Sequence, residues 1–353
     1  MDFSVERCRR HPDCKRLLVY FDTSTYACLT RGDDGAERLD GLLRRAIDEG
    51  SAICVGSPWL DDEVALLRFG PRLDRLVQAV RSYTLGLQMK FEEELIDFEL
   101  SAAAREFSGQ VVQITWEEAF RDDPDDPPLQ PFQAEYLNDR ERFQHPPAGV
   151  EDATHDRATS ESLSRAHEDL REAALSWEEV AVGNMEQQAR YLLAPLEDPT
   201  SVDRANRLQG ELMNEWLSGD LEMDAGSPMR KYLRLAHVVS NAKRLRERFP
   251  PVADDPVGFL ESDAVRYLPM IRLFSFLLAA LSVDGRRTKP RASDLHDLRH
   301  LTYGLSRCDI VTADMRSCEL VRGRDLIPAG ATLREAHTLG AIADAIEERL
   351  ATR

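Results

Sequence analysis

The run Leu17 to Phe21 (LLVYF) is unbroken, apolar and stops abruptly at Asp22. A short continuous run of this kind belongs to a strand covered on both faces, as in the middle of a parallel sheet. Parallel neighbours need long crossover connections, usually helical, so this one strand implies an α/β architecture. Ligands of open parallel sheets sit at the carboxyl ends of the strands. Asp22 stands at such an end, where it can also serve merely to cap the turn.

Two further segments repeat the pattern. Ala52 to Gly56 (AICVG) reads as a second short strand, and Ser57-Pro58 follows it as an N-cap with proline in the first turn. In the helix that this signal opens, Leu60, Glu63, Val64 and Leu67 share a face while Asp61 and Asp62 turn away. A phase shift of one residue would put Asp62 or Asp61 in the place of Glu63. The third segment, Ser293 to Asp314 (SDLHDLRHLTYGLSRCDIVTAD), predicts a helix followed by a short strand. At about 100° per residue, Asp294, Asp297, Leu298, Leu301 and Leu305 fall on one face, and His296 and His300 on the other. Asp294 also fits the acidic bias of a helix start. Asp309 precedes the strand and reads as a turn residue.

An apolar element thus delivers an acid to one end of the sheet three times over. Two carboxylates about 5 Å apart repel by roughly 3 kcal/mol at an effective dielectric of about 20, and a bound cation relieves this. Oxygen-only donors, without a convergent Cys/His set, favour Mg2+ or Mn2+ over zinc. Such clusters serve phosphodiester hydrolysis, in which the ion activates water and stabilises negative charge.

On LVYFDTSTY, on the acid-bearing helix after SPW, and on DLRHLTYGLSRCDIVTAD, the chain resembles the PIN-domain family of metal-dependent ribonucleases. The resemblance implies a three-layer PIN-like α/β fold with a central parallel sheet. It implies that Asp22, Glu63, Asp297 and Asp314 are the catalytic, metal-holding acids, with Asp294 beside them as a further ligand. It implies that Thr312, in the T-x-D element ending the last strand, positions a carboxylate or a water. RNA would be the substrate and Mg2+ or Mn2+ the cofactor, with one or two ions left open. Toxin–antitoxin pairs are a setting of the family, although no antitoxin can be read from this chain.

The resemblance spans residues 15–110 and 260–320 as a discontinuous core. Between them, 111–259 reads as a mainly α-helical insertion, entered through an Asp- and Pro-rich surface loop near 117–160, whose acidic run at 117–126 is expected to be only solvated. Residues 321–353 read as a C-terminal helical tail, with its helix from Thr332 to Leu350. Within the core, helices are expected over Glu37 to Glu49, over Leu73 to about Phe107, and from Glu261 through the apolar stretch Leu273 to Val283. Gly109 to Trp116 suggests a short strand. The basic connector Arg286 to Arg291 either touches phosphate or is solvated. The tryptophans are expected to be core residues.

Composition bounds the alternatives. A formal charge of -18 argues against a general high-affinity nucleic-acid binder, because that affinity comes chiefly from Lys and Arg on phosphates. It leaves room for an enzyme that holds RNA briefly at a metal site. The six cysteines include no C-x-x-C pair and are expected to be free thiols. No segment is apolar enough to span a membrane or to act as a secretory signal, so the expected location is cytoplasmic. Two rival functions stand beside the nuclease. One is a catalytically inactive PIN-like module that binds a protein or RNA partner through the insertion. The other is a phosphohydrolase of small esters, against which the first strand lacks a second aspartate two residues after Asp22 and no Gly-rich phosphate loop follows.

Overall fold

The computed structural model describes residues 14–60, 64, 71–113, 115–127, 160–161, 163–170, 172–173, 175–184, 249–255, 258–259, 262–264, 268–284 and 292–353. Its centre is a 4-stranded, all-parallel sheet of β1 (Leu17–Tyr20), β2 (Ala52–Cys54), β3 (Ile310–Ala313) and β4 (Thr332–Glu335), in the order β2-β1-β3-β4. The expected α/β class is therefore present.

β1 is central for the reason its sequence gives. Successive side chains alternate between faces, and both faces of β1 are covered. Leu18 and Tyr20 join Ile53, Val55, Val311 and Leu333 on one side; Leu17, Val19 and Phe21 join Cys54 and Ile310 on the other. Helices α1 (Thr23–Arg31), α2 (Ala36–Asp48), α3 (Pro71–Thr84) and α9 (Leu339–Ala351) supply Tyr26, Leu39, Val77 and Ile342 to the second face. The first face is covered by α4 (Glu92–Phe107), α6 (Pro269–Ser282), α7 (Ala292–Arg307) and α8 (Met315–Arg322). The short α5 (Pro250–Asp254) packs on that side through Val252.

α7 approaches the sheet most closely at Gly304. A Cβ there would lie 2.7 Å from Val311 Cγ1 and 2.9 Å from Tyr20 Cδ1. Only glycine lets the helix backbone rest on β1 and β3 at this depth.

Several expectations change. The helical stretch expected over 73–107 is two helices, α3 and α4, broken by Leu85 (φ 51) and Gly86 (φ 89). The chain between them is extended, with a parallel bridge from Gln88 to Gly56 that carries the sheet one step past β2. The apolar residues Leu87 and Met89 fit either period, and burial beside β2 selects the extended form. Gly109 to Trp116 is not a strand: among its described residues it is irregular, Val111 being 94% exposed. α6 starts at Pro269, later than expected, because proline suits a first helical turn and interrupts a helix interior.

The C-terminal segment is not a purely helical tail. Thr332 to Glu335 forms β4, paired with β3 over four residues, and α8, which was not anticipated, makes the crossover. The acids near 117–126 are not merely solvated either. Asp125 accepts from the backbone N–H groups of Lys15 and Arg16 at 3.0 and 3.2 Å, tying that loop to the start of β1. Most of the expected insertion, the whole of 185–248 included, and the connector Arg286 to Arg291 lie outside the described residues. Among the described residues no helix is long and apolar enough to cross a membrane, and Cys14, Cys28, Cys54, Cys308 and Cys318 form no disulfide.

Candidate functional site at the carboxyl edge of the sheet

The strand order contains a reversal. From β1 the chain crosses over to β2 on one side, and from β3 it crosses over to β4 on the other. The seam between β1 and β3 is thus the topological switch point, outside whose carboxyl ends open α/β sheets form their ligand crevice. Both strands end there in an aspartate followed at once by a helix.

Asp22 is half-buried and caps α1. Its Oδ1 accepts from Thr25 N at 2.9 Å and lies 2.8 Å from Thr25 Oγ1. Asp314 does the same for α8: Oδ1 accepts from Ser317 N at 2.8 Å and Oδ2 from Ser317 Oγ at 3.0 Å. The two segments, Asp22-Thr-Ser-Thr25 and Asp314-Met-Arg-Ser317, share a D-x-x-[ST] spacing. This spacing puts a hydroxyl on the first helical turn, within reach of the capping carboxylate. It was readable in the sequence as two copies of one device.

Thr312 joins the two. Its side chain is buried at 1% exposure; Oγ1 accepts from Asp22 N at 3.0 Å, lies 2.8 Å from Thr25 Oγ1, and donates to Asp22 Oδ1 at 3.4 Å. Thr312 thus meets Asp22 through its backbone N–H and, at the longer distance, through its carboxylate. Pairing of Val19 with Ile310 and Tyr20 with Val311, continued by two residues, sets Asp22 across from Ala313, the neighbour of Asp314. Adjacent strands run about 4.8 Å apart, so the two acids rise from backbone positions roughly a strand width apart.

α7 runs into β3, so its first turns lie at this same edge. Asp294 is buried there (8% exposed) and Asp297 is half-buried. The expected placement of the histidines is corrected. His300 does not face away from the sheet: it is 4% exposed, and its Nδ1 shares a 2.6 Å hydrogen bond with Tyr20 Oη. His296 meets Trp59 edge-on, with ring centroids 5.8 Å apart. Helical spacing ranked the leucines as the buried stripe, but this helix is covered over more than half its circumference, as Tyr303, at 1% exposure, also shows. Ser57 is the cap its sequence predicts, accepting from Leu60 N at 3.1 Å, and it is held in turn by Tyr20 Oη at 2.8 Å. Tyr20, Thr25, Ser57, His300 and Ser317 are the polar residues of this edge that acid-counting passed over.

Glu63, with Asp61 and Asp62, lies outside the described residues. Among the described residues no three His, Cys, Asp or Glu side chains come together closely enough to hold a metal ion. The donors at the seam are nevertheless of the hard-oxygen kind that suits Mg2+ or Mn2+, and Mg2+ commonly takes one or two carboxylates, waters and substrate phosphate rather than a full protein cage. Cys318 is fully buried next to Asp314, and burial pushes its thiol up to about 12. Compared with known proteins, the chain matches no family model, no curated protein and no solved structure.

Proposed function

We propose that the chain is a PIN-like, Mg2+- or Mn2+-dependent endoribonuclease acting at the β1–β3 seam. The observation that carries this reading is the pair Asp22 and Asp314, at the carboxyl ends of adjacent parallel strands on either side of the switch point.

Asp22 and Asp314 would hold the cation, with Asp297, Asp294 and Glu63 as the further acids of the family pattern. When bound, the cation supplies charge neutralisation at the phosphodiester and activation of water. The protein supplies the arrangement. Thr25 N and Oγ1, with Thr312 Oγ1 farther off, hold the Asp22 carboxylate by its Oδ1, so its rotamer is set before any ligand arrives. The N-termini of α1 and α8 open at the same crevice, where the helix dipoles favour an anionic substrate. With a net charge of -18, substrate affinity would be modest and strongly salt-dependent, and contacts near the seam would outweigh the global field.

The test is cleavage of a mixed RNA pool in Mn2+, Mg2+ or chelator by the wild type, Asp22→Asn and Asp314→Asn. Asparagine caps helices about as well as aspartate. Both variants should therefore keep the wild-type melting temperature to within a few degrees while losing metal-dependent cleavage. Cleavage that persists in both, or that survives chelator, rules the reading out.

A further inference from the structure

Three buried hydroxyl and imidazole groups just behind the crevice are not used by the proposed chemistry. Tyr20 Oη lies 2.8 Å from Ser57 Oγ and 2.6 Å from His300 Nδ1, and Ser57 Oγ accepts from Leu60 N at 3.1 Å. Their exposures are 0%, 0% and 4%. The three groups come from three elements that meet only in the folded protein: β1, the turn after β2, and α7.

The positions of these residues relative to the acids give the network its interest. Tyr20 ends β1, two residues before Asp22. His300 is one helical turn after Asp297, about 60° around α7 from it. One residue before Asp297, and on the same side of it as His300, His296 meets the Trp59 ring at 5.8 Å, and the Arg299 guanidinium lies over that ring, 4.3 Å from its centroid. The residues bracketing Asp297 are thus held by the Ser57–Leu60 turn and by Tyr20. Below them, Gly304 lets α7 touch the Tyr20 ring itself. Helix packing alone allows a helix to slide along its grooves by fractions of an ångström. A buried 2.6 Å hydrogen bond resists this, because sliding would give up the short contact between Tyr20 Oη and His300 Nδ1.

We infer that Tyr20, Ser57 and His300 form a positioning network that locks the acid-bearing turn of α7 to β1, setting Asp297 relative to Asp22. The inference rests on the nuclease reading of the edge. None of the three is among the acids that would hold the ion. Their effect is on how tightly the site holds its cation.

The experiment compares wild type, Tyr20→Phe, His300→Leu, His300→Asn and Asp22→Asn by calorimetric titration with Mn2+, by the rise in melting temperature that Mn2+ produces, and by the Mn2+ dependence of RNA cleavage. Tyr20→Phe keeps the ring and removes only the hydroxyl. It should weaken Mn2+ binding about tenfold, within the range by which residues that touch no ligand modulate a site. Excess Mn2+ should restore most of the cleavage rate. His300→Leu should behave in the same way. His300→Asn, whose amide can occupy the place of Nδ1, should recover most of the affinity.

If Tyr20→Phe and His300→Leu lose thermal stability but bind Mn2+ as tightly as the wild type, the network is packing alone and the inference is overturned. If the wild type neither binds Mn2+ nor cleaves RNA, the nuclease reading has failed and the inference falls with it. Wild-type binding that Asp22→Asn abolishes separates the two cases.

Discussion

At the residue scale, the capping aspartates and the buried ion pair make contrasting uses of charge. Asp314→Ala removes an acceptor from Ser317 N and Ser317 Oγ, and should lower stability by about 1 kcal/mol, as loss of a helix cap does. Urea unfolding of Asp314→Ala against Asp314→Asn isolates the cap, because asparagine keeps it. Glu99 presents the opposite case. It is 1% exposed, meets Arg307 Nη2 at 2.6 Å, and accepts from Met270 N at the start of α6. Burial pushes its carboxyl from the ordinary 4.5 up to about 7, and Arg307 and the Met270 N–H offset this only in part. The folded state then binds a proton more readily than the unfolded one between about pH 4.5 and pH 7, so this group's contribution to stability falls as pH rises through that window. Glu99→Gln should flatten that slope in urea midpoints measured at pH 5 and pH 8. Arg307→Ala, which leaves the carboxylate buried without its partner, should lose about 3 to 5 kcal/mol.

At the scale of elements, α7 matters most. Its spacing correctly predicts a helix ending before β3 and a buried Leu298, Leu301 and Leu305. It does not predict that His300 and Tyr303 would be buried as well. A stripe argument assumes one neighbour, and α7 has the sheet on one side and α6 on another. Gly304 offers a clear test of that packing. Replacing glycine by alanine inside a helix ordinarily adds about 1 kcal/mol of stability. Here the new Cβ would lie 2.7 Å from Val311 and 2.9 Å from Tyr20, so Gly304→Ala should instead destabilise by about 1 to 3 kcal/mol. A rise in melting temperature for this variant would refute the close approach. The same reasoning explains the break between α3 and α4. The sequence there is acceptable to a helix, and the opportunity to pair beside Gly56 decides otherwise.

At the scale of the whole molecule, the sheet is closed on its β3 side by the segment least expected to be a strand. β4 has one buried residue of four, Leu333, and so lacks the apolar run that marks β1. Deleting residues 329–353 should expose the edge of β3 and the face of α2 that α9 covers. The truncated protein should lose cooperative unfolding by circular dichroism or form aggregates, since an uncovered inner strand is a template for intermolecular pairing. A soluble truncation with a sharp melting transition would contradict this. The opposite end of the sheet is also tied. Asp309 Oδ2 accepts from Leu18 N at 2.9 Å and from Arg353 Nη2 at 3.0 Å, so this acid holds the amino edge together and belongs to no site at the carboxyl edge.

The sequence by itself determined what depends on neighbours along the chain: the strand character of LLVYF and AIC, the acids that end β1 and β3, the Ser57 cap, and the amphipathic α2. These follow from local sterics, capping and periodicity. Tertiary structure alone decided that β1 and β3 lie side by side, that Thr312 reaches back to Asp22, that His300 turns inward to Tyr20, and that TLRE is a strand. Each of these depends on a partner 280 or more residues away or on the edge of an existing sheet. A hydrogen bond or ladder of that span leaves no periodic trace in either segment, because the free energy that selects it exists only once both surfaces have met.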